Sequence, residues 1–117
     1  MAIEELSLAR DDFKGFGYSV TFRHDGTATD TRRRDRLPDQ HFTGAVDPTE
    51  FDRVAGLVAT SGFFALDERY GDRLPVVVTT AVRQGQTKAV SNFGGAGPAN
   101  LVAVETAIES LRAGAGT

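Results

Sequence analysis

Leu6 and Leu8 alternate with Ser7 and Ala9 near the start of the chain, the period of two expected of a strand over about Ile3 to Ala9. The stretch Asp11-Asp12-Phe13-Lys14-Gly15-Phe16-Gly17 breaks that pattern. Tyr18, Val20 and Phe22 then alternate with Ser19, Thr21 and Arg23, which predicts a half-buried strand with one inward face. Asp25-Gly26 follows at once and predicts a hairpin whose two central residues both take positive φ. The partner strand, Thr27 to about Arg33, is threonine-rich and polar, as befits an edge or a solvent-facing side. Beyond Pro38, the segment Gln40 to Val46 is a further candidate strand.

Asp47-Pro48-Thr49-Glu50 is the sharpest local signal. An acid stands at the N-cap, proline at the first helical position and glutamate at the third, the composition of a capping box. Phe51, Val54, Leu57 and Val58 recur at spacings of three and four and give that helix an apolar face, with Gly62 as its C-cap. Phe63, Phe64 and Leu66 form an apolar plug before the polar loop Asp67 to Arg73. Val76 to Arg83 is apolar and β-branched and predicts a central strand. Gln84-Gly85-Gln86 turns it into a second hairpin with Thr87 to Phe93. After Gly94-Gly95-Ala96-Gly97, Pro98 opens a second helix with Leu101, Val104, Ile108 and Leu111 along one side.

Strands, helix, strands, helix, without βαβ alternation, predict an α+β two-layer sandwich. The expected sheet is antiparallel, with about four to six strands and helices near Pro48–Ser61 and Pro98–Arg112 on one face. Phe51, Leu57, Val78, Leu101 and Ile108 should join in one core. The free face should carry Thr21, Arg23, Thr27, Thr29 and Thr79. A single domain over residues 1–112 is expected, with a flexible tail at 113–117.

At 117 residues the chain is close to the usual size of one domain, and its mean hydropathy is −0.23. No apolar run approaches the roughly 20 residues of a membrane helix. The acidic start Met1-Ala2-Ile3-Glu4-Glu5 has no apolar leader, so a cytoplasmic location is expected; a longer precursor would make the protein secreted or periplasmic. With no cysteine there is no thiol chemistry, disulfide or thiolate metal site. A net charge of −3 disfavours nucleic acid as partner.

Charge is uneven, however. Arg32, Arg33, Arg34 and Arg36 give five consecutive residues a local charge of +3, leaving −6 on the rest. Such a cluster can grip phosphate or carboxylate bidentately, or dock an acidic partner. The plainer expectation is a solvated, mobile stretch that blocks pairing of the sheet edge. Gly94, Gly95 and Gly97 approach a helix N-terminus, where free N–H groups attract anions, although Pro98 removes one donor. His24 and His41 are the only histidines, and with the Asp11/Asp12 stretch they offer weak material for a zinc site. The serines lack any nucleophile-elbow context, so no catalytic residue, metal or cofactor is assigned.

The order Phe16-Gly17-Tyr18-Ser19-Val20-Thr21-Phe22, Asp25-Gly26-Thr27, Gly62-Phe63-Phe64-Ala65-Leu66, Tyr70, Leu74-Pro75, Thr87 to Phe93, Ala96-Gly97-Pro98, Leu101, Glu105, Ala107 and Ile108 resembles a small bacterial domain family of unknown function. Members are often found in predicted lipoproteins or secreted proteins. The resemblance runs from about Ile3 to Leu111. Many relatives carry Cys-x-Gly-x-Cys-Pro before the Tyr-Ser-Val strand, where this chain reads Phe13-Lys14-Gly15-Phe16-Gly17, so no role of that cysteine pair carries over. The resemblance implies a fold and names no activity. The expected function is therefore a non-enzymatic binding or protein-interaction module, monomeric or homodimeric, contacting an unidentified protein or small anionic ligand. The alternative is a small enzyme in which the arginines clamp an anionic substrate and His24 or His41 carries a proton.

Overall fold

The first strand occupies the middle of the sheet. In a computed structural model describing residues 3–11 and 17–115, with side chains up to Arg112, β1 (Ile3–Asp11) pairs antiparallel with β2 (Gly17–Arg23) on one side. On its other side it pairs, also antiparallel, with β6 (Val76–Arg83). Outward from β2 lie β3 (Thr27–Arg34) and β4 (Leu37–Ala45); outward from β6 lie β7 (Gln86–Phe93) and the two-residue β5 (Arg69–Tyr70). The order is β4-β3-β2-β1-β6-β7-β5, and only the β5–β7 pairing is parallel. The α+β class and the antiparallel character match expectation, but seven strands exceed the expected four to six. The extra strand is β5, drawn from the polar loop at 67–73, and a two-residue strand leaves no periodicity to read.

Two helices, α1 (Pro48–Thr60) and α2 (Ala99–Ala115), cover the middle of one face. Leu6, Leu8, Val20, Phe22, Ala28, Ala81 and Val90 project from the sheet against Phe51, Val54, Val58, Leu101, Val104 and Ile108. Phe63, in a 3-10 turn over Phe63–Ala65, closes the core, and Asn100 Nδ2 donates to Ser61 O at 3.0 Å to tie the helices together. No helix is long and apolar enough to cross a membrane among the described residues. Helix α2 reaches Ala115, so three of the five residues expected in the tail are helical. Residues 12–16, which include Asp12 and the whole of Phe13-Lys14-Gly15-Phe16, lie outside the described residues.

Several expectations are corrected in detail. Val78 and Thr79 exchange places: Thr79 is fully buried between Leu8 and Val90 under the helices, while Val78 faces the open side between Ala9 and Ser91. The run Val76-Val77-Val78 carries no phase of its own, and the unambiguous alternation of β1 fixes it. Leu57 is half-buried at the margin of the core, and Ala55 lies within it. Asp47 caps α1 by accepting from Thr49 N at 2.9 Å, but Glu50 pairs with Arg53 at 3.0 Å instead of completing the box. The β2–β3 connection has three residues, and of them only Gly26 is left-handed, at φ 93°. Asp25 Oδ1 accepts from both Thr27 Oγ1 and Thr27 N, which holds its carboxyl below the usual range. Type I′ geometry appears instead at Gln84-Gly85, with φ 53° and 74°.

Candidate functional site

The arginine cluster lies on a strand and its tight turn, and it does not form one surface. Arg32, Arg33 and Arg34 belong to β3, and Arg36 stands in the tight β3–β4 turn with φ 57°. Alternation then divides them. Arg32 shares the helix side with Tyr18 and Gln40, its neighbours in register. Arg33 pairs with Asp11, whose position in register places it on the opposite face. Two residues beyond Arg32, Arg34 returns to its side, and its NH2 group donates to Pro38 O at 2.9 Å; the pairing with β4 shifts register between the two, with the extra residue on β4.

At this end β1, β2, β3, β4 and the last turns of α2 enclose a cleft of about 380 Å³. Arg10, Tyr18, Arg32, Arg34, Gln40 and Arg112 line it, as does Arg33, which is paired with Asp11. Tyr18 and Arg112 form its wall. The guanidinium of Arg112 lies 3.8 Å above the Tyr18 ring, a cation–π contact between two half-buried side chains. The Tyr18 hydroxyl donates to Glu109 Oε2 at 2.6 Å, while Glu109 Oε1 is 3.2 Å from Arg112 NH1. Burial, reinforced by that hydrogen bond and by the Glu109 charge, pushes the Tyr18 phenol up to about 12. Asp30 Oδ2 lies 3.5 Å from both Arg32 NH2 and Arg112 Nε. Arg112 Nε makes no hydrogen bond, so its contact is electrostatic, and the other carboxylate oxygen, Asp30 Oδ1, is buried without a hydrogen-bond partner.

Beside the Arg33–Asp11 pair, four guanidiniums, Arg10, Arg32, Arg34 and Arg112, thus stand with two carboxylates, Asp30 and Glu109. Among the described residues, Arg10 and Arg34 have no ion-pair partner, and Arg34 Nε is buried without an acceptor. Guanidinium stays protonated throughout the physiological range, so this excess of positive charge is permanent. Its planar forks are suited to a carboxylate or phosphate. A second groove of about 740 Å³ shares Arg10 and Tyr18 but has an acidic wall of Glu105 and Glu109. Burial raises the Glu105 carboxyl, against the opposing hydrogen bond from Asn92 and the charge of Arg10. The Arg10–Tyr18 pair therefore separates an anion-attracting cleft from an anion-repelling one.

The remaining candidates lie apart. His24 sits beyond the far end of β2, about 20 Å from the cleft at strand rise per residue, with its Nε2 3.9 Å from Asp52 and its ring edge-on to Phe51. His41 lies on the open face of β4, its Nδ1 3.2 Å from Thr31 Oγ1. Neither histidine lines the arginine cleft. Gly94 and Gly95 make a tight left-handed turn after β7, with Gly94 N donating to Pro75 O at 2.9 Å. Gly97 N donates to Asn92 Oδ1 at 2.9 Å, so the side chain of Asn92 already occupies this approach to α2. A Cβ on Gly97 would come within 2.6 Å of Leu101 Cδ2, which makes the loop a packing device.

Arg10, Tyr18, Gln40 and Arg112 join the site without having stood out in the sequence. Register could have found the first three, because Arg10 opposes Tyr18, Tyr18 opposes Arg32, and Arg32 opposes Gln40. Arg112 depends on how α2 lies across the sheet, and no local pattern encodes that. No family model matches this chain, and no curated protein matches it.

Proposed function

We propose that this protein is a non-enzymatic binding module that takes an acidic partner or anionic ligand in the cleft of Arg10, Arg32, Arg34 and Arg112. The observation that carries this reading is the charge imbalance in a concave site: four guanidiniums, two carboxylates and a buried Arg34 Nε without an acceptor. The open sheet face is the weaker contact surface. Its groups satisfy one another, Ser7 with Thr21 at 3.0 Å, Arg23 with Glu5 and Arg33 with Asp11. The clamp-and-histidine enzyme lacks support because both histidines lie away from the arginines, and a phenol pushed up to about 12 is a poor proton carrier at neutral pH.

Inorganic phosphate is the simplest probe. A saturable rise in melting temperature at millimolar phosphate is expected for the wild type, by mass action on the folded state. It should disappear in Arg10→Gln/Arg34→Gln and survive in Arg53→Gln, which alters only the exposed pair with Glu50 on α1. Equal shifts in all three proteins would refute the cleft as an anion site.

A further inference from the structure

The two edges of the sheet are treated very differently. At one end β5 is only two residues long, sits in a charged loop with Asp67, Glu68, Asp72 and Arg73, and stacks Arg69 over Phe93 at 4.3 Å. Short, charged edges of this kind resist pairing with other chains. At the other end β4 runs for nine residues with a single neighbour, and every residue but the half-buried Gln40 is exposed. Pro38 and Asp39 protect its beginning, but Gln40-His41-Phe42-Thr43-Gly44-Ala45 carries no charge and no proline. Leu37 and Phe42, 56% and 43% exposed, lie on this strand, two of the four large apolar side chains left open among the described residues.

The helices lie over the central strand β1, and the helix-side row of β4 is left largely open, with Phe42 and Gly44 exposed and Gln40 half-buried. That row leads into the arginine cleft: Gln40 lines it, and Arg32 lies 4.8 Å over the Phe42 ring. From these observations we infer that an extended acidic segment of a partner protein binds by adding an eighth strand to β4. Its backbone pairs with the free edge, and its acidic side chains reach Arg32 and Arg34. Backbone pairing supplies adhesion and alternate side chains supply selectivity, as in other strand-addition complexes. The inference rests on the arginine-cleft reading for the charge of the partner and on β4 itself for the mode of binding.

The probe is a fluorescent ten-residue peptide alternating glutamate with valine or threonine, with two derivatives N-methylated at one or the other set of alternate residues. A strand in a ladder turns only every second N–H toward its neighbour. One derivative should therefore bind at least tenfold more weakly than the parent and the other nearly as well, at identical charge. Amides within residues 40–45 should gain protection from hydrogen exchange when the parent binds, and Phe42→Lys should abolish binding. If both derivatives bind like the parent, or the parent fails to bind while the arginine-dependent phosphate shift persists, strand addition is wrong and the cleft reading stands. If the phosphate shift is absent too, both fall. A glutamine-for-glutamate peptide binding equally well would overturn the acidic assignment. A free protein that sediments as a dimer, split by Phe42→Lys, would give the edge to a second copy of this chain instead.

Discussion

Tyr18 and Glu109 are joined by a 2.6 Å hydrogen bond that fastens the start of β2 to the last turns of α2. Through Glu109 the same contact holds Arg112 over the phenol ring, so the wall of the cleft is a chain of three side chains from two elements. The phenol is raised from 10.0 to about 12, which means that the folded protein holds this proton more tightly than the unfolded chain. The associated stability is fully present below pH 10 and is lost as pH rises through 10 to 12. Absorbance titration of a Tyr70→Phe variant, which leaves Tyr18 as the sole tyrosine, should show phenolate forming near pH 12; ionisation near 10 would contradict the described contact.

Thr79 offers a gain in stability. Its side chain is fully buried between Leu8 and Val90, and its Oγ1 has no hydrogen-bond partner. Replacing a stranded hydroxyl by a methyl of the same shape removes a desolvation cost, so Thr79→Val should stabilise by about 1–2 kcal/mol. Chemical denaturation measures this directly, and a destabilised variant would mean that the hydroxyl is satisfied in solution.

Asn92 and Glu105 should respond in opposite ways. Asn92 Oδ1 accepts from Gly97 N while its Nδ2 donates to Glu105 Oε2, both at 2.9 Å, and the residue is almost wholly buried. Asn92→Ala strands a backbone donor and should cost about 1–3 kcal/mol. Glu105→Gln keeps an acceptor for Asn92 and removes a charge that burial disfavours, so at pH 7 it should be neutral or stabilising. As pH falls through the raised carboxyl titration the wild type should approach the Gln variant, a convergence that parallel melts would reveal.

Along α1, the cap and the core separate cleanly. Asp47→Ala should cost about 1 kcal/mol through loss of the Thr49 N–H bond, whereas Glu50→Ala, which breaks only an exposed ion pair, should be close to neutral. Ile108→Ala, on α2, should cost about 2–5 kcal/mol because the side chain is fully buried. Leu57→Ala should cost less, about 1–2 kcal/mol, since Leu57 is only half-buried. Equal losses at Leu57 and Ile108 would mean that α1 is rotated from the phase described.

Where alternation was clean, the chain could be read directly. Tyr18, Val20 and Phe22 lie on the helix side as expected, and the Asp47-Pro48 start of α1 is where composition places it. The Val76 to Thr80 run could not be phased, because every residue in it is β-branched and its face is dictated by Leu6 and Leu8 across the ladder. The arginine cluster was visible as a charge excess, but its division between two faces depends on the period of β3 and on its register with β2. The other half of the cleft, Arg10 and Arg112, comes from distant parts of the chain. Charge density in sequence finds a cluster; only the register shows which members can hold one ligand.

Placing β1 in the centre of the sheet makes it a seam between two flanks of different origin. The strands β2, β3 and β4 follow one another through short turns, as do β6 and β7, so each flank can form from local contacts. Joining them requires Leu6 to find Ala81 and Leu8 to find Thr79, pairings between residues 75 and 71 positions apart. Such long closures are slow relative to hairpin formation. During synthesis from the N-terminus, the first four strands can assemble while the β6-facing side of β1 stays bare until residues 76–83 have emerged. In the finished molecule the unguarded edge belongs to β4; in the growing one it belongs to β1, and the last third of the sequence supplies its cover.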